Sequence, residues 1–192
     1  MMTDDTPRKS GIKAEMLVAA SAVFIGVCAL VVSLYEAQLM REEQRLSVLP
    51  ILELARSHFT SQDAPEKWRL SLHAENVGIG PAVIEDFHVW VDGEPHKTWR
   101  SAIGALLGGG ADISYGQSTI NGRTIPPDRM ITMFDLSNTE IAADIVAEFS
   151  RFNFEACYCS VFGDCWTTDY ASGFSGSESI AECKVDETSF TE

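Results

Sequence analysis

Residues 68–94 read WRLSLHAENVGIGPAVIEDFHVWVDGE. The first part alternates apolar and polar residues, as a half-buried strand does, and its apolar face consists of Trp68, Leu70, Leu72 and Ala74. The second part repeats the pattern before an Asp-Gly turn, with one face made by Phe87, Val89 and Val91. We therefore expect two adjacent strands of one sheet within a mainly β domain.

Further elements of the domain follow from the same kind of pattern. We predict an edge strand after Pro50, a short helix or crossover over Trp99–Leu107, a strand over residues 129–136, and a hairpin from residues 152–161 and 165–170. One clear helix is expected over residues 138–149, where Ser137 and Glu140 form a capping box. This helix should pack on the sheet.

Residues 16–35 form a membrane-spanning segment. They are twenty consecutive uncharged residues, a length that matches the hydrocarbon core of a bilayer. A cleaved signal peptide is disfavoured, because the apolar run is too long and the nearest Ala-ended cleavage site has Tyr35 at position −3. Cys28 follows Val27 rather than a small residue, so it is not read as a lipoprotein cysteine. The segment is expected to be an uncleaved signal anchor in contact with lipid.

The charges beside this segment predict its orientation. Arg8, Lys9 and Lys13 precede it, whereas Arg41 and Arg45 follow it. Because positive charge favours the cytoplasmic side, we expect a single-pass protein of the inner membrane with a cytoplasmic N-terminus and an exported, periplasmic domain.

The anchor also carries a stripe of small residues at spacings of three and four: Ala19, Ala22, Gly26, Ala29 and Ser33. Such a stripe lets two helices approach closely, although membrane helices are rich in small residues in any case. We predict self-association through this face. The helix should continue without a breaker to about Leu46 as a short stalk.

The charge balance excludes one class of partner. The net charge is −14, and nearly all of it falls on the part of the chain after the anchor. An acidic surface of this kind repels phosphate backbones and anionic lipid headgroups, so nucleic-acid binding and polybasic membrane docking are not expected.

The motif HAENVGIGPAVIEDFHVWVDGEP resembles the Asn-x-Gly strand pair of CARDB-like, immunoglobulin-like sandwich domains. Together with the N-terminal anchor and the late CYCSVFGDCW, it resembles bacterial single-pass membrane proteins that carry such a domain. The resemblance implies an immunoglobulin-like β-sandwich with one added helix and a role in extracytoplasmic interactions. It carries over no catalytic residue. Within the motif, Gly78 and Gly80 suit a positive φ or a close backbone approach, and a structural bend without a ligand is the favoured interpretation.

The expected organisation therefore has five parts. They are a cytoplasmic tail (1–15), a transmembrane helix (16–35), a helical stalk (36–47), a β-sandwich domain (48–170) and an acidic, Ser-rich tail (171–192) that frays except at Cys183.

Four cysteines lie outside the membrane segment. In an oxidising compartment they predict two disulfides. Cys157 and Cys159 point to the same face of a strand and cannot easily bridge each other, so we expect Cys159–Cys165 across the hairpin and Cys157–Cys183 to the tail. The alternatives are a Cys₄ zinc site in a cytoplasmic domain, which lacks the usual C-x-x-C pairs, and reactive thiols.

No catalytic, cofactor-binding or metal-binding set emerges from the sequence. The histidines lack metal-ligand spacing: His58, His73, His88 and His96. His73 and His88 are expected on neighbouring strands, where they could meet, but solvated surface positions are favoured. The sequence thus predicts a non-catalytic protein-interaction module or a subunit of an envelope complex; an envelope enzyme or enzyme accessory is the alternative. An exposed apolar patch would favour the first, and a deep pocket with convergent polar groups the second.

Overall fold

The structure, a computed structural model, describes residues 11–59, 68–109, 113–137, 141–171 and 176–192. Its helices are α1 (Gly11–Leu46), α2 (Trp99–Leu107) and α3 (Ile141–Ala147), followed by a 3₁₀ turn (Phe149–Arg151). Its strands are β1 (Leu52–Phe59), β2 (Arg69–Asn76), β3 (Ala82–Val91), β4 (Glu94–Pro95), β5 (Gly116–Gln117), β6 (Thr124–Ile125), β7 (Arg129–Ser137), β8 (Phe152–Cys159), β9 (Cys165–Asp169) and β10 (Glu178–Ile180).

Helix α1 forms a unit of its own, separate from the domain Ser47–Glu192. Within the described residues it is the one helix long and apolar enough to cross a membrane. Its apolar side chains, such as Phe24 and Leu30, are exposed. The predicted continuation of the helix to Leu46 is confirmed, since no glycine after Gly26 and no proline interrupts it.

The domain consists of two antiparallel sheets. The first has the strand order β1-β2-β7-β5, and the second has the order β10-β9-β8-β3-β4, with β6 also paired to β3. Both sheets bury apolar side chains in one common core, to which Leu70 and Phe134 contribute from the first sheet and Phe87 and Phe154 from the second. The predicted mainly β class after an apolar N-terminal helix is therefore confirmed.

The expected pairing of the two strands in residues 68–94 is wrong. Strand β2 pairs with β1 and β7, whereas β3 pairs with β4, β6 and β8 in the other sheet. Alternation in each strand reports only that one face is buried, and here the two buried faces meet across the core. The loop between them therefore carries the chain from one sheet to the other, and His73 and His88 lie on different sheets.

Two helices accompany the sheets in the described part of the domain: α2, where the sequence predicts a short helix or crossover, and α3. Thr98 caps the N-terminus of α2, where its hydroxyl accepts a hydrogen bond from the backbone N–H of Ser101, and Gly108, with a φ of 74°, caps the C-terminus. Helix α3 occupies the middle of the helix predicted over residues 138–149 and buries Ile145. The predicted capping partner Glu140 lies outside the described residues.

The C-terminal segment packs on the domain and does not fray where it is described. Strand β10 adds to the edge of the second sheet, and Phe190 is buried in the core with its ring 4.8 Å from Trp99 and 5.6 Å from Phe87. The backbone N–H of Phe190 donates to the carbonyl of Phe87 at 2.8 Å. The prediction of a fraying tail rested on the polar composition of this segment. That composition does not indicate that a single residue of the segment, Phe190, belongs to the core.

Candidate functional site

A groove of about 470 Å³ lies on the second sheet, on the side away from the common core. Strands β3, β8 and β9 supply its floor, and residues 180–184 form part of its wall. The polar residues and the one cysteine that line it include Asp86, His88, Glu155, Cys157, Thr167 and Lys184. The groove brings together a carboxylate, an imidazole and a disulfide that are far apart in the sequence.

A β-bulge lies directly before Asp86, which faces this groove. The register of β3 against β8 shifts between Ile84 and Asp86, so that Ile84 and Phe87 both enter the core while Asp86, also buried, lies on the opposite side of the sheet. Phe87 enters the core, whereas Asp86 pairs with Cys157 on the groove side. Alternation from Phe87 places Asp86 on this side, whereas alternation from Ile84 would have placed it in the core.

The buried Asp86 carboxylate has several hydrogen-bond donors. Its Oδ2 atom lies 2.8 Å from Nε2 of His88 and accepts a bond from the Ser189 hydroxyl at 3.1 Å. Its Oδ1 atom accepts from the backbone N–H of Phe87 at 2.9 Å. The His88 ring in turn stacks on Trp90, with centroids 5.3 Å apart. These contacts satisfy a carboxylate that is only 2% exposed, and they tie the C-terminal segment to β3 through Ser189.

Glu155 faces His88 across the β3–β8 pair. Burial raises the pKa of its carboxyl above the ordinary value, with further raising effects from the negative charges of Asp169 and Asp86, while His88 acts in the opposite direction. The groove is therefore a partly desolvated acidic site, not a basic one.

Asp86, His88 and the hydroxyl of Thr188 lie in the order carboxylate, imidazole and hydroxyl that a catalytic triad has, but the likeness is one of position only. The Oγ1 atom of Thr188 is 3.4 Å from His88 Nδ1, but it donates its proton to Asp186 Oδ1 at 2.6 Å. A nucleophilic hydroxyl needs its proton directed to the base. This arrangement therefore orders the C-terminal segment and does not activate a nucleophile.

The other histidines lie elsewhere. His58 is on β1, His96 follows β4, and His73 on β2 contacts the hydroxyls of Ser57 (2.6 Å) and Thr132 (3.3 Å). Burial lowers the pKa of His73. The structure does not bring these three side chains to the groove.

The four cysteines of the domain form two neighbouring disulfides, Cys157–Cys183 and Cys159–Cys165, which is the pairing that the sequence predicts. Cys159 and Cys165 are directly opposite each other in the β8–β9 register. Sulfur atoms of the two disulfides are also close: Cys159 Sγ lies 3.7 Å from Cys183 Sγ. In the described part of the chain, the group Cys159, Cys165 and Cys183 alone has metal-ligand spacing, but its sulfurs are in disulfides and offer no thiolate to a metal.

A second feature lies where the chain enters the domain. The buried side chain of Asn76 accepts hydrogen bonds from the N–H groups of Ile51 (3.3 Å) and Gly78 (3.0 Å) and donates to the carbonyls of Gly80 and Ile125, both at 2.8 Å. Backbone bonds from residues 77, 79 and 80 to residues 49 and 51 add to it. We call this set, residues 48–51 and 76–80, the Asn76 clamp.

The glycines of the clamp are required by close approach, not by a positive φ. A Cβ on Gly80 would overlap the backbone of Val48, and a Cβ on Gly78 would lie 2.7 Å from the carbonyl carbon of Pro50. The clamp confirms the expectation of a structural bend at these glycines. The role of Asn76 was missed, although the Asn-x-Gly motif contains it.

The outer surface of the clamp is apolar. Ile51 is 42% exposed, Val77 is 41% exposed and Ile79 is 65% exposed. The backbones of Ile51 and Val77 are hydrogen-bonded to each other, so these residues are neighbours. We call the three residues the clamp patch.

The helix-association residues Ala19, Ala22, Gly26, Ala29 and Ser33 all lie within α1 and are exposed. A Cβ on Gly26 would meet no atom within 4 Å, so this side of the helix is open. Cys28 is a free, exposed cysteine of the same helix.

A comparison with models of known protein families finds no match, and a comparison with curated proteins finds no significant relative. The resemblance to CARDB-like domains therefore stays a prediction, and function must be argued from the residues themselves.

Proposed function

We propose that this chain is a single-pass, membrane-anchored protein whose exported domain binds another envelope membrane protein without catalysing a reaction. The observation that carries the proposal is the clamp patch of Ile51, Val77 and Ile79. Each of these aliphatic residues is more than two-fifths exposed, and backbone hydrogen bonds join residues 77 and 79 to residues 51 and 49. Exposed apolar residues grouped in this way on an otherwise acidic domain favour a binding surface.

The position of the patch in the sequence supports a membrane-embedded partner. Ile51 follows the last residue of α1 by only five residues in the sequence. A partner held in the same bilayer meets such a surface at a high effective concentration. The clamp fixes the backbone beneath the patch and so reduces the entropy lost on binding.

The contents of the groove support a non-catalytic role. Its buried carboxylate is bonded to His88 and Ser189, and its nearest hydroxyl is directed to Asp186. A carboxylate–imidazole pair would support catalysis if a nucleophile gave its proton to the imidazole, whereas the Thr188 hydroxyl gives its proton to Asp186.

The proposed placement is the inner membrane, with the N-terminus in the cytoplasm. Support comes from the excess of Arg8, Lys9 and Lys13 before the anchor and from two disulfides in the domain, which suit an oxidising compartment. A reporter active only outside the cytoplasm, fused to the C-terminus, should be active, and a cytoplasmic reporter at the same place should be silent. The reverse pattern would refute this orientation.

The partner is tested by photocrosslinking from the patch. A photoreactive amino acid at Ile79 should give a discrete crosslinked product in intact membranes, and Ile79→Lys should abolish co-purification of that product in mild detergent. Phe162, which is 48% exposed at the tip of the β8–β9 hairpin, is the matched control position. Co-purification that survives Ile79→Lys, or that Phe162→Lys abolishes equally, would refute binding through the clamp patch.

Self-association through α1 is a separate part of the proposal. It rests on the small-residue stripe and on the open side of Gly26. Gly26→Ile should reduce the signal in a membrane dimerisation assay, whereas Val23→Ile, off the stripe, should not. Equal signals from both variants would mean that the stripe reflects composition only.

A further inference from the structure

Two carboxylates lie beside the clamp patch on the outer face of the first sheet. Glu53 and Glu75 are directly opposite each other in the register of β1 and β2. Glu53 follows Ile51 by two residues, and Glu75 precedes Val77 by two. In each segment the residue between the two is buried in the domain, so alternation directs the carboxylate and the patch residue to the same outer face. Two residues along a strand correspond to about 7 Å, so each carboxylate adjoins a patch residue.

We call Glu53 and Glu75 the carboxylate pair, and its arrangement is unfavourable for the domain alone. Side chains directly opposite each other in an antiparallel pair have Cβ atoms about 5 Å apart, and like charges at that distance destabilise the sheet. Among the described residues, no lysine or arginine forms an ion pair with either carboxylate. Burial lowers the pKa of the neighbouring His73 more than the negative charges of Asp135 and Glu75 raise it, so that imidazole is neutral at neutral pH. The domain therefore presents two uncompensated negative charges beside an apolar surface.

The apolar surface continues on the far side of the carboxylate pair. Met130 on β7 is directly opposite Glu75 and is 55% exposed. Apolar side chains therefore flank the two charges in two directions, with Ile51 and Val77 along the strands and Met130 across the sheet. A surface with this pattern is matched by a partner that places a positive charge among aliphatic side chains.

We propose that the partner of the clamp patch places one arginine or lysine between Glu53 and Glu75 and covers the patch with adjacent aliphatic side chains. The inference rests on the proposed function, because it names the chemistry of the same partner. A cation between two like charges replaces their repulsion by two attractions, and a guanidinium has enough donors to bond both carboxylates at once. The spacing of about 6–7 Å between the cation and an aliphatic side chain is that of residues i and i+4 of a helix or i and i+2 of a strand.

The carboxylate pair disfavours two other occupants of the same surface. A second copy of the chain that used this surface would bring four carboxylates together, and anionic lipid headgroups would be repelled by the two that are there. A basic and aliphatic protein segment is attracted instead. Because exposed charges at the edge of an interface act mainly on the rate of association and are screened by salt, the contact should weaken as the ionic strength rises.

Photocrosslinking of the full chain from position 79 in isolated membranes tests for the cation. Glu53→Gln combined with Glu75→Gln should reduce the yield of the crosslink to another protein about fivefold, since two exposed charge contacts of ordinary strength are lost. Glu94→Gln combined with Glu187→Gln removes the same net charge at exposed positions outside the patch and should leave the yield unchanged. A yield that the first pair does not change, or that the second pair reduces equally, would overturn the inference.

Stability and salt separate a loss of binding from a loss of folding. The variant with glutamine at positions 53 and 75 should resist thermal unfolding at least as well as the wild type, because it has lost the repulsion between the two charges. The wild-type crosslink yield should fall severalfold between about 0.05 M and about 0.5 M salt, whereas the yield of the glutamine variant should change little. If that variant unfolds more easily than the wild type, the wild-type salt series decides, and a yield that salt does not change would overturn the inference.

The outcomes also distinguish this inference from the proposed function. Absence of any crosslink to a protein would refute both. A discrete protein partner whose crosslink depends neither on salt nor on the carboxylate pair would leave the proposed function standing and overturn the inference alone. A crosslink only to lipid, or only to a second copy of the chain, would assign the surface to that occupant and overturn the inference.

Discussion

Residues 48–51 and the segment after Cys183 are both fixed against the domain, but by different chemistry. The first is held by backbone hydrogen bonds and the side chain of Asn76, over glycines that leave no room for a Cβ. The second is held by a disulfide and by the insertion of Phe190 into the core. One attachment depends on the absence of side-chain atoms, and the other depends on a covalent bond and a large side chain.

The difference shows which perturbation each attachment resists. The Asn76 clamp has no redox-active group, so a reductant should leave it intact, whereas one added methyl group disrupts it. The C-terminal attachment should lose its disulfide to a reductant and keep the packing of Phe190. Variants that affect one attachment and not the other can therefore separate them.

The largest effect is expected from Phe190→Ala, which removes a ring that is 2% exposed and contacts Phe87 and Trp99. Loss of a buried Phe side chain costs about 4 kcal/mol of unfolding free energy, because transfer and cavity terms add. Urea unfolding should show this loss. Phe162→Ala, at an exposed position, is the control and should change stability little. A small effect of Phe190→Ala would mean that the C-terminal segment is not part of the folded core.

The double substitution Cys157→Ser, Cys183→Ser should have the next largest effect. The bond links residues that are 26 apart in sequence, and its loss should cost about 3.5 kcal/mol by the loop-entropy relation. In buffer that contains a reductant this loss should disappear, because the wild type then lacks the same disulfide. Cys28→Ser, in α1, is the control, and a destabilisation as large in that variant would contradict this account.

Gly80→Ala should destabilise the domain by about 3 kcal/mol, since the new Cβ overlaps the backbone of Val48. Gly104→Ala, in α2, is matched to it: a Cβ there meets nothing within 4 Å, and a helical alanine should stabilise by up to about 1 kcal/mol. Thermal unfolding with and without reductant should show the Gly80→Ala loss unchanged. Two variants of equal stability would disprove the close approach.

The smallest effect is expected from Glu155→Gln in the groove, a residue that belongs to neither attachment. The folded state holds the pKa of Glu155 above its unfolded value, so Glu155 destabilises the fold once the pH rises above about 4.5, where the unfolded chain loses its proton first. Glu155→Gln should therefore raise the free energy of unfolding at neutral pH by less than about 1 kcal/mol after solvent screening, and with it the melting temperature. This advantage should be lost at acid pH. An equal advantage at both pH values would assign the gain to packing.

The sequence predicted elements whose signals are local. The β8–β9 hairpin, the continuation of α1 to Leu46 and helix α2 each follow from a turn, a periodicity or the absence of a breaker. The disulfide pairs also followed from local geometry, because Cys157 and Cys159 share a strand face and only one of them can meet Cys165 directly.

Other features depend on contacts between distant residues and have no local signal. Strands β2 and β3 alternate in the same way whether they share a sheet or face each other across a core. Phe190 is a single aromatic residue in a polar segment, and the Ser189 hydroxyl that donates to Asp86 comes from a residue 103 positions later in the chain. The clamp patch could not be found from sequence either, since apolar residues in a loop do not reveal their exposure.

The burial of Phe190 sets an order of events during synthesis. A chain that emerges from its N-terminus can pair β3 with β8 and close the β8–β9 hairpin while residue 190 is still in the ribosome. The aromatic cluster around Trp99 cannot close until that residue is free. Cys183 also emerges after the other three cysteines, so the earliest thiols to be oxidised are those of the hairpin. The domain core therefore stays incomplete until Phe190 has joined the aromatic cluster.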